Sequence, residues 1–496
     1  MKLTRRKFVQ RLAFGTTLLG GVRSPAIANS AQRSSGAKQL RPNIIFILAD
    51  DLGWGDLSCY GRPDYRTPNI DLLALQGTKF TDAYSASAVC TPSRCGYITG
   101  RYPARFRIGL EEPLVSSNSN VGLEPSHQTI GSLLKQSGYD TALIGKWHLG
   151  FRPEWGPNAH GFQEFFGILA GAGDYFLHKN GLGQPDLYEN LTPVDRNGYL
   201  TDLLTERAVN YIKKPRSAPF FLSLHYTAPH WPWQGPKGGE TVSFATKAPE
   251  PALMSRGGSL QLYAQMMKSL DDGVGRVMQS IKAASIDRNT LVIFTSDNGG
   301  ERFSYLWPFS GQKGNLLEGG VRVPAIVRWP GVVPDNRVTQ QMAITMDWTA
   351  TICAAAKADV AAGPSLDGID LLPVIKGTSR VTDRTFFWRI YSRDAVRDGK
   401  WKYFRDGDVR RLFDLSLDQR EQADFSGTHP EVLHRLIAVF INGMIRCCRA
   451  RLREAKDSGV PIIFVVARSE GVMIPINHGM MAHICCLRYL PLVVRL

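Results

Sequence analysis

The sequence predicts an α/β protein with a large domain and a smaller C-terminal domain. The chain has 496 residues, which exceeds the size at which one hydrophobic core usually stops growing. Two apolar runs rich in β-branched residues, Asn43–Ala49 and Leu291–Ser296, are typical of strands in a parallel sheet covered on both faces. The stretch Tyr263–Met278 carries apolar residues at helical spacing, which predicts an amphipathic helix.

Residues 1–28 predict a removable export signal. A basic start is followed by a weakly apolar segment, Leu12–Val22, and by the cleavage-site pattern Ala26-Ile27-Ala28. The segment is too short for a stable membrane anchor. The pair Arg5-Arg6 resembles a twin-arginine signal, which carries folded proteins, although an ordinary Sec signal stays open. We therefore expect a periplasmic or secreted bacterial protein.

The charge distribution gives no reason to expect a nucleic-acid partner, and the cysteine spacing gives no reason to expect a thiolate metal site. The net charge is +15, but residues 1–28 contribute +6 and residues 441–496 contribute +5, so only +4 remains on the body of the chain. This distribution gives no reason to expect a nucleic-acid partner. The eight cysteines contain no pair of Cys-x-x-Cys motifs, so we expect no thiolate metal site.

Oxygen ligands follow both predicted parallel strands. Asp50 and Asp51 come directly after the first strand, and Asp297 and Asn298 come directly after the second. Ligands of open α/β sheets collect at the carboxyl ends of strands, where these side chains are expected. A single Asp in this position is often a helix N-cap, but a second Asp makes capping a weaker account. The set favours Ca²⁺ or Mg²⁺ over zinc or copper.

The stretch Cys90-Thr91-Pro92-Ser93-Arg94, followed by Thr99-Gly100, is the most specific motif in the chain. A lone cysteine is usually a small buried residue, and a disulfide with Cys95 is a second ordinary interpretation. The spacing of unlike residue types, however, resembles the signature of the type I sulfatases.

This resemblance implies an alkaline-phosphatase-like fold, with a large mixed sheet between helices and a smaller C-terminal α+β domain. It implies that a formylglycine-generating maturation enzyme oxidises Cys90 to an aldehyde, whose hydrate attacks the sulfur of a sulfate ester. It also implies one Ca²⁺, held by Asp50, Asp51, Asp297 and Asn298 and contacting the modified Cys90. Arg94 would hold the hydrate.

Three further motifs resemble the family core. In Gly145–Gly150, Lys146 would bind sulfate and His148 would serve the hydrate as sulfate leaves. If this segment is extended, residues two apart share a face and address one substrate. His230, in the loop Pro229–Pro232, would touch the sulfate or the leaving oxygen, whereas His225 lies in an apolar run and is expected in the core. Lys313 would be the second sulfate lysine.

The segment from His160 to His178 is rich in glycine and aromatic residues and resembles the substrate loop of arylsulfatase B-like members, which act on sulfated N-acetylgalactosamine. We therefore expect a sulfatase that hydrolyses an aryl sulfate or a sulfated sugar. Two alternatives stay open. One is a phosphonate monoester or phosphodiester hydrolase of the same superfamily. The other is a calcium-dependent binder of sulfated glycans, if Cys90 is not converted.

The remaining expectations concern boundaries and surface charges. The catalytic domain is expected over residues 42–380, and short apolar runs separated by turns predict a small antiparallel sheet within residues 381–440. Residues 441–496 form a basic tail without an assigned function, expected to be poorly ordered or loosely docked. Asp271-Asp272 is expected on a solvated helix face, and Glu318 and Arg322 are expected to form an i, i+4 ion pair.

Overall fold

The large domain is organised around a mixed β-sheet. The computed structural model describes residues 41–115, 120–238, 257–361 and 363–457, and residues 1–28 with the predicted export signal lie outside these ranges. The strands of the sheet are β1 (Asn43–Ala49), β2 (Thr78–Tyr84), β3 (Asp140–Gly145), β4 (Glu164–Gly167), β5 (Tyr188–Glu189), β6 (Thr192–Pro193), β7 (Phe220–His225), β8 (Thr290–Ser296), β9 (Arg322–Arg328), β10 (Arg337–Thr339) and β11 (Ala343–Ile344).

The strand order places a block of parallel strands at the centre of the sheet. The order is β10-β2-β9-β8-β1-β7-β3-β4-β5-β6, with β11 also paired with β2. Strands β8, β1, β7, β3 and β4 run parallel, whereas β9 is antiparallel to both β8 and β2. Because Ala49 is in register with Ser296, the residues that follow β1 and β8 emerge side by side.

Helices cover both faces of the sheet, as the continuously apolar strands predicted. In β1, Ile45 and Ile47 pack into one core cluster and Ile44 and Phe46 pack into the other. The helices are α1 (Pro68–Leu75), α2 (Cys90–Thr99), α3 (Ile130–Gln136), α4 (Leu200–Lys213), α5 (Leu260–Ala283), α6 (Glu318–Val321), α7 (Thr345–Ala356), α8 (Leu372–Ile375) and α9 (Pro430–Asp457). The first cluster contains residues of α1, α4 and α5, and the second contains residues of α2, α3 and α7.

Asp271 corrects one expectation about α5. Its carboxylate is buried and accepts the backbone N–H groups of Asn69 at 3.2 Å and of Ile70 at 2.9 Å. It thereby satisfies donors in the first turn of α1, which are otherwise unpaired at a helix start. Its neighbour Asp272 is solvated as expected, being 53% exposed and paired with Lys268.

The C-terminal sheet is antiparallel, as predicted. Its strands are β12 (Thr385–Ile390), β13 (Arg393–Asp398), β14 (Trp401–Asp406) and β15 (Val409–Asp414), paired in that order. One face packs on residues of the large domain, and the other packs against α9.

The described part of the C-terminal tail differs from the poorly ordered or loosely docked segment that the sequence predicted. Helix α9 continues through residue 440 to Asp457, and Cys447 is buried against the C-terminal sheet. Residues 458–496 of the predicted tail lie outside the described ranges. Gly443 packs against the ring of Phe387, because a Cβ built at Gly443 would stand only 2.7 Å from Cε1 of that ring. Among the described residues, no helix is both long enough and apolar enough to cross a bilayer.

A buried ion cluster joins the two sheets. Lys402 of β14 lies 2.8 Å from Glu318 of α6 and 2.8 Å from Glu421, and all three side chains are inaccessible to solvent. Glu318 also pairs with Arg322 at 3.1 Å, which confirms the predicted ion pair. Burial raises the pKa of Glu421 to about 7, although the charge of Lys402 opposes this rise. Lys402 therefore joins the two carboxylates, and Glu421 depends on it for a paired cation.

Lys402→Met is expected to lower the free energy of unfolding by about 3–5 kcal/mol, because it leaves the buried carboxylate of Glu421 without the ammonium group that pairs with it. Lys400→Met is the matched control. Lys400 pairs with Asp414 but is 53% exposed, and its loss should cost no more than about 1 kcal/mol. Urea unfolding of both variants measures the difference. Equal losses would contradict a structural role for the buried cluster.

Candidate active site

The carboxyl ends of the central strands form one polar site. Asp50 and Asp51 follow β1, Asp297 and Asn298 follow β8, and Lys146 follows β3. His230 lies in the loop after β7, which pairs with both β1 and β3. The strand order β8-β1-β7-β3 thus brings together groups that lie up to 248 residues apart in the chain, the separation of Asp50 and Asn298.

The predicted metal residues converge at this edge. Ligand atoms of Asp50, Asp51, Cys90 and His230 all lie within 4.8 Å of one another, and all four residues are buried. Asn298 Nδ2 donates to Asp51 Oδ1 at 2.7 Å. The backbone N–H of Asp51 donates to Asp297 Oδ1 at 3.2 Å. Asp51 itself has a φ of 60°, a costly left-handed conformation that the surrounding hydrogen bonds maintain.

Two buried oxygens in this cluster lack a hydrogen-bond donor among the described residues. They are Asp50 Oδ1 and Asn298 Oδ1, and Arg94 Nη2 stands 3.5 Å from the former. A buried acceptor without a partner is costly, so an oxygen pair of this kind calls for a cation. The residues therefore fit a hard divalent cation, as the sequence predicted.

Three basic side chains balance the three carboxylates. Lys146 Nζ lies 2.5 Å from Asp50, Lys313 Nζ lies 2.6 Å from Asp51, and Arg94 lies 2.9 Å from Asp297. Burial would raise the pKa of Asp51, but the charges of Lys313, His230 and Lys146 bring it down to about 2. At Asp297, burial and then the charge of Asp50 raise the pKa to about 6, against the opposing effect of Arg94.

Cys90 begins α2 and is buried within the charged cluster. Burial raises the pKa of its thiol to about 12, although Lys146 and Lys313 act in the opposite direction. Cys90 forms no disulfide, so the alternative of a bridge to Cys95 is wrong. Arg94, one turn further along α2, binds Asp297 and donates to the carbonyl of Lys146 at 2.9 Å. It therefore fixes the groups around Cys90.

The backbone at His148 differs from the extended segment that the sequence predicted. Strand β3 ends at Gly145, and His148 has a φ of 58°, so Lys146 and His148 do not share a strand face. His148 Nε2 donates to the carbonyl of Leu114 at 2.9 Å, and Nδ1 is buried without a hydrogen bond from any described residue. Burial and then Lys146 lower the pKa of His148 well below its usual value. The ring is thus neutral with Nδ1 as an acceptor.

The two histidines near β7 have different environments. His230 Nδ1 donates to the carbonyl of Trp231 at 2.5 Å, which leaves Nε2 to accept from Lys313 at 3.1 Å. Burial, and then Lys313, lower the pKa of His230, so this ring is also neutral. His225 is buried and bonded to Ser223 and to the carbonyl of Lys146, which confirms the expected core residue.

Comparisons with known proteins identify the family. A family model described as Sulfatase matches residues 42–358. The chain belongs to the sulfatase family. Steryl-sulfatase of Mus musculus is 31% identical over 85% of this chain and 84% of its own length. N-acetylgalactosamine-6-sulfatase of Canis lupus familiaris is 33% identical over 74% of this chain and 72% of its own.

A solved structure supports the same assignment. Ps i-CgsB, crystallised in complex with k-i-k-neocarrahexaose, has a TM-score of 0.72 and 32% identity, covering 80% of this chain and 91% of that one. The neighbouring structures confirm the alkaline-phosphatase-like fold. Because the relatives are sulfuric ester hydrolases, the chain is an enzyme of this class, and a binding protein without activity is not supported.

Two supports of the sulfatase site were missed in the sequence. The carbonyl of Leu114 orients His148, and the backbone N–H of Leu114 donates to Thr91 Oγ1, beside Cys90, at 3.0 Å. Gly171 lies against the His148 ring, where a Cβ would stand 2.4 Å from Nε2. The contact from the Leu114 carbonyl could not be predicted, because every residue has a backbone carbonyl. The glycines at 171 and 173 could have indicated close packing in this segment.

The predicted substrate loop also contacts the backbone of the loop that carries His230. The hydroxyl of Tyr175 donates to the carbonyls of Thr227 and His230 at 2.8 and 2.9 Å. His160 and His178 are buried, and their rings bond to the carbonyls of Leu123 and Gly198. These three aromatic residues of the loop are therefore packing residues.

Gly171→Ala is expected to lower kcat/KM for sulfate esters about 10- to 100-fold, because the added methyl group displaces the His148 ring. Gly427→Ala is the control, since a Cβ at Gly427 meets nothing within 4 Å. Steady-state kinetics on para-nitrophenyl sulfate measures both variants. Wild-type kinetics in Gly171→Ala would show that the position of His148 does not matter.

Proposed function

We propose that this sulfatase hydrolyses sulfated carbohydrates through a formylglycine formed from Cys90, with Ca²⁺ held by Asp50, Asp51, Asp297 and Asn298. The observation that carries this proposal is the environment of Cys90. The residue begins the signature and is buried, and its Sγ atom lies within 4.8 Å of ligand atoms of Asp50, Asp51 and His230. Burial also raises the pKa of its thiol, which disfavours the thiolate that an unmodified cysteine nucleophile would need.

A formylglycine at position 90 needs no thiolate. The maturation enzyme would supply the two-electron oxidation that converts the side chain of Cys90 to an aldehyde, with the sulfur leaving as sulfide. The hydrate of this aldehyde then supplies a hydroxyl nucleophile. The signature Cys90-Thr91-Pro92-Ser93-Arg94 supports recognition by a formylglycine-generating maturation enzyme. Export through a twin-arginine signal would allow this oxidation in the cytoplasm before the folded protein reaches the periplasm.

The chain's own groups suit a calcium ion and a sulfate group together. The unpaired oxygens of Asp50 and Asn298 would be ligands, together with Asp51 and Asp297. A bound divalent cation supplies Lewis-acid stabilisation of charge on the sulfate oxygens. Lys146 and Lys313 now contact Asp50 and Asp51, and in the loaded enzyme they would place their charges on the sulfate.

His148 and His230 fit two different proton transfers of the reaction. Neutral His148 presents Nδ1 as an acceptor and can take a proton from the nucleophile's second hydroxyl as sulfate departs. Neutral His230 accepts from Lys313, and this pair can supply a proton to the leaving alcohol oxygen. Arg94 keeps Asp297 and the Lys146 backbone in position between them.

Two of the similar proteins support a carbohydrate substrate. One relative is named an N-acetylgalactosamine-6-sulfatase, and one structural neighbour was crystallised with a neocarrahexaose. Both share about one third of their residues with this chain, at 33% and 32% identity. A sulfated galactose or N-acetylgalactosamine unit is therefore the substrate class we propose, and an exported enzyme would meet such glycans outside the cytoplasm.

The test is calcium-dependent turnover by enzyme produced together with its maturation enzyme. We expect hydrolysis of para-nitrophenyl sulfate to exceed hydrolysis of bis(para-nitrophenyl) phosphate, to fall on chelation with EGTA and to return with Ca²⁺. Asn298→Ala should raise the Ca²⁺ concentration needed for half-maximal activity at least about 10-fold, because one oxygen ligand is lost. Direct Ca²⁺ titration by calorimetry should show the same weakening.

Asn210→Ala, on the exposed face of α4, is the matched control and should leave the calcium dependence unchanged. Preferred hydrolysis of the phosphodiester would instead support the phosphodiesterase alternative. Full activity after exhaustive chelation would contradict the proposed role of the four oxygen ligands.

A further inference from the structure

The hairpin between β12 and β13 brings the C-terminal sheet against a short segment of the large domain. Arg389, on β12, places Nη1 2.6 Å from the carboxylate of Glu112. The backbone N–H of Tyr391, in the turn, donates to the second carboxylate oxygen at 2.7 Å, and the Tyr391 hydroxyl donates to the Glu112 carbonyl. The Glu112 side chain is only 6% exposed. The hairpin therefore holds Glu112 through both its side chain and its backbone.

The segment of residues 112–114 carries this anchor to the catalytic groups. Leu114, two residues after Glu112, is buried in the core of the large domain. Its carbonyl accepts from His148 Nε2 at 2.9 Å, and its N–H donates to Thr91 Oγ1, next to Cys90, at 3.0 Å. One short piece of backbone thus joins the hairpin to the proposed base and to the helix that begins at Cys90.

The hairpin has a second contact near the site. Arg393, which begins β13, donates through Nη1 to the carbonyl of Gly314 at 3.2 Å. Gly314 follows Lys313, and its own N–H donates to the carbonyl of Ala88 at 2.8 Å. This second contact limits movement of the hairpin relative to Glu112.

We propose that Arg389 and Glu112 are positioning residues, through which the C-terminal sheet holds His148 in the orientation that the reaction needs. This inference rests on the proposed function, in which His148 Nδ1 accepts a proton. The Leu114 carbonyl can accept only from an Nε2–H group, so a fixed Leu114 selects the tautomer in which Nδ1 is an acceptor. Loss of Arg389 would leave the carboxylate of Glu112 without the cation that pairs with it, which favours displacement of the segment.

A merely structural role for the Arg389–Glu112 pair makes a different prediction. Loss of the pair would then lower stability, but the folded enzyme would turn over sulfate esters at the wild-type rate. If the pair acts through His148, the folded enzyme is slower, and this defect disappears when His148 is already absent. A double-mutant cycle separates the two roles, because residues that act through one another are not additive.

The experiment measures para-nitrophenyl sulfate hydrolysis by matured, Ca²⁺-loaded wild-type enzyme, Arg389→Met and Arg389→Lys, each with and without His148→Ala. Rates are divided by the fraction of Cys90 converted, taken from the mass of the tryptic peptide of residues 80–94. In Arg389→Met, kcat should fall about 10- to 100-fold without a rise in KM, as expected for a misplaced catalytic group. Arg389→Lys retains the charge and should recover part of the loss. In the His148→Ala background, Arg389→Met should change kcat by less than about 2-fold.

Arg328→Met is the matched control. Arg328 is buried and pairs with Asp287 at 2.9 Å, beside the start of β8 and therefore at the edge of the sheet opposite the site. Its loss should lower the temperature of thermal unfolding but leave kcat unchanged. The control thus separates lost stability from lost positioning.

A second readout requires no turnover. Long-range ¹H–¹⁵N NMR of enzyme labelled with ¹⁵N in its histidine rings reports the tautomer, and the signals of His148 are those that vanish in His148→Ala. The Nε2–H tautomer is expected in the wild-type enzyme and in Arg389→Lys. In Arg389→Met, the His148 signals should shift and no longer show this single tautomer.

Wild-type kcat in Arg389→Met, or an equal loss of kcat with and without His148, would overturn the inference. An unchanged His148 spectrum in Arg389→Met would overturn it as well. An inactive wild-type enzyme that gives the expected spectra would instead count against the proposed function and support the positioning of His148 by the hairpin.

Discussion

The structure depends on the burial of three carboxylates at one edge of the sheet. Asp50, Asp51 and Asp297 are each nearly inaccessible to solvent. Like charges so close together resist ionisation unless cations compensate. Burial, and then the charge of Asp50, accordingly raise the pKa of Asp297. Lys146, Lys313 and Arg94 supply the compensation within the protein, and a dication would release the two lysines to bind an anion.

This constraint explains how the fold arranges the site. Parallel strands deliver their carboxyl ends to the same edge, so β1 and β8 place the acids together and β3 and β7 place the bases beside them. Helix α2 places Cys90 beside these acids and bases. Arg94 of the same helix bonds to Asp297 after β8 and to the carbonyl of Lys146 after β3. The neutral histidines complete the site, because burial among cations keeps the rings of His148 and His230 unprotonated.

The central sheet and the residues at its strand ends could be predicted from the sequence for physical reasons. Continuous apolar strands such as Asn43–Ala49 encode a sheet covered on both faces, and the polar residues that end them encode a site at the strand ends. The resemblance to sulfatases then named the residues that the structure gathers. Local patterns could not show tertiary partners. The helical face of Asp271 looked solvated because the start of α1, which it caps, lies about 200 residues away.

Other features escaped the sequence for related reasons. The position of His148 is set by a carbonyl at Leu114 and by the absence of a side chain at Gly171, and neither is a chemical group that a motif records. The extension of α9 beyond residue 440 was obscured by the basic composition of the tail, although Cys447 packs in a core.

The central claim is that Cys90, which lies buried beside Asp50, Asp51 and His230, works as an aldehyde. The most direct measurement is the mass of the tryptic peptide Phe80–Arg94 from active enzyme made with a formylglycine-generating enzyme. The account predicts the mass of the peptide in which oxygen replaces sulfur and two hydrogens are lost, in proportion to specific activity. Full activity from a peptide that retains its thiol mass would contradict it.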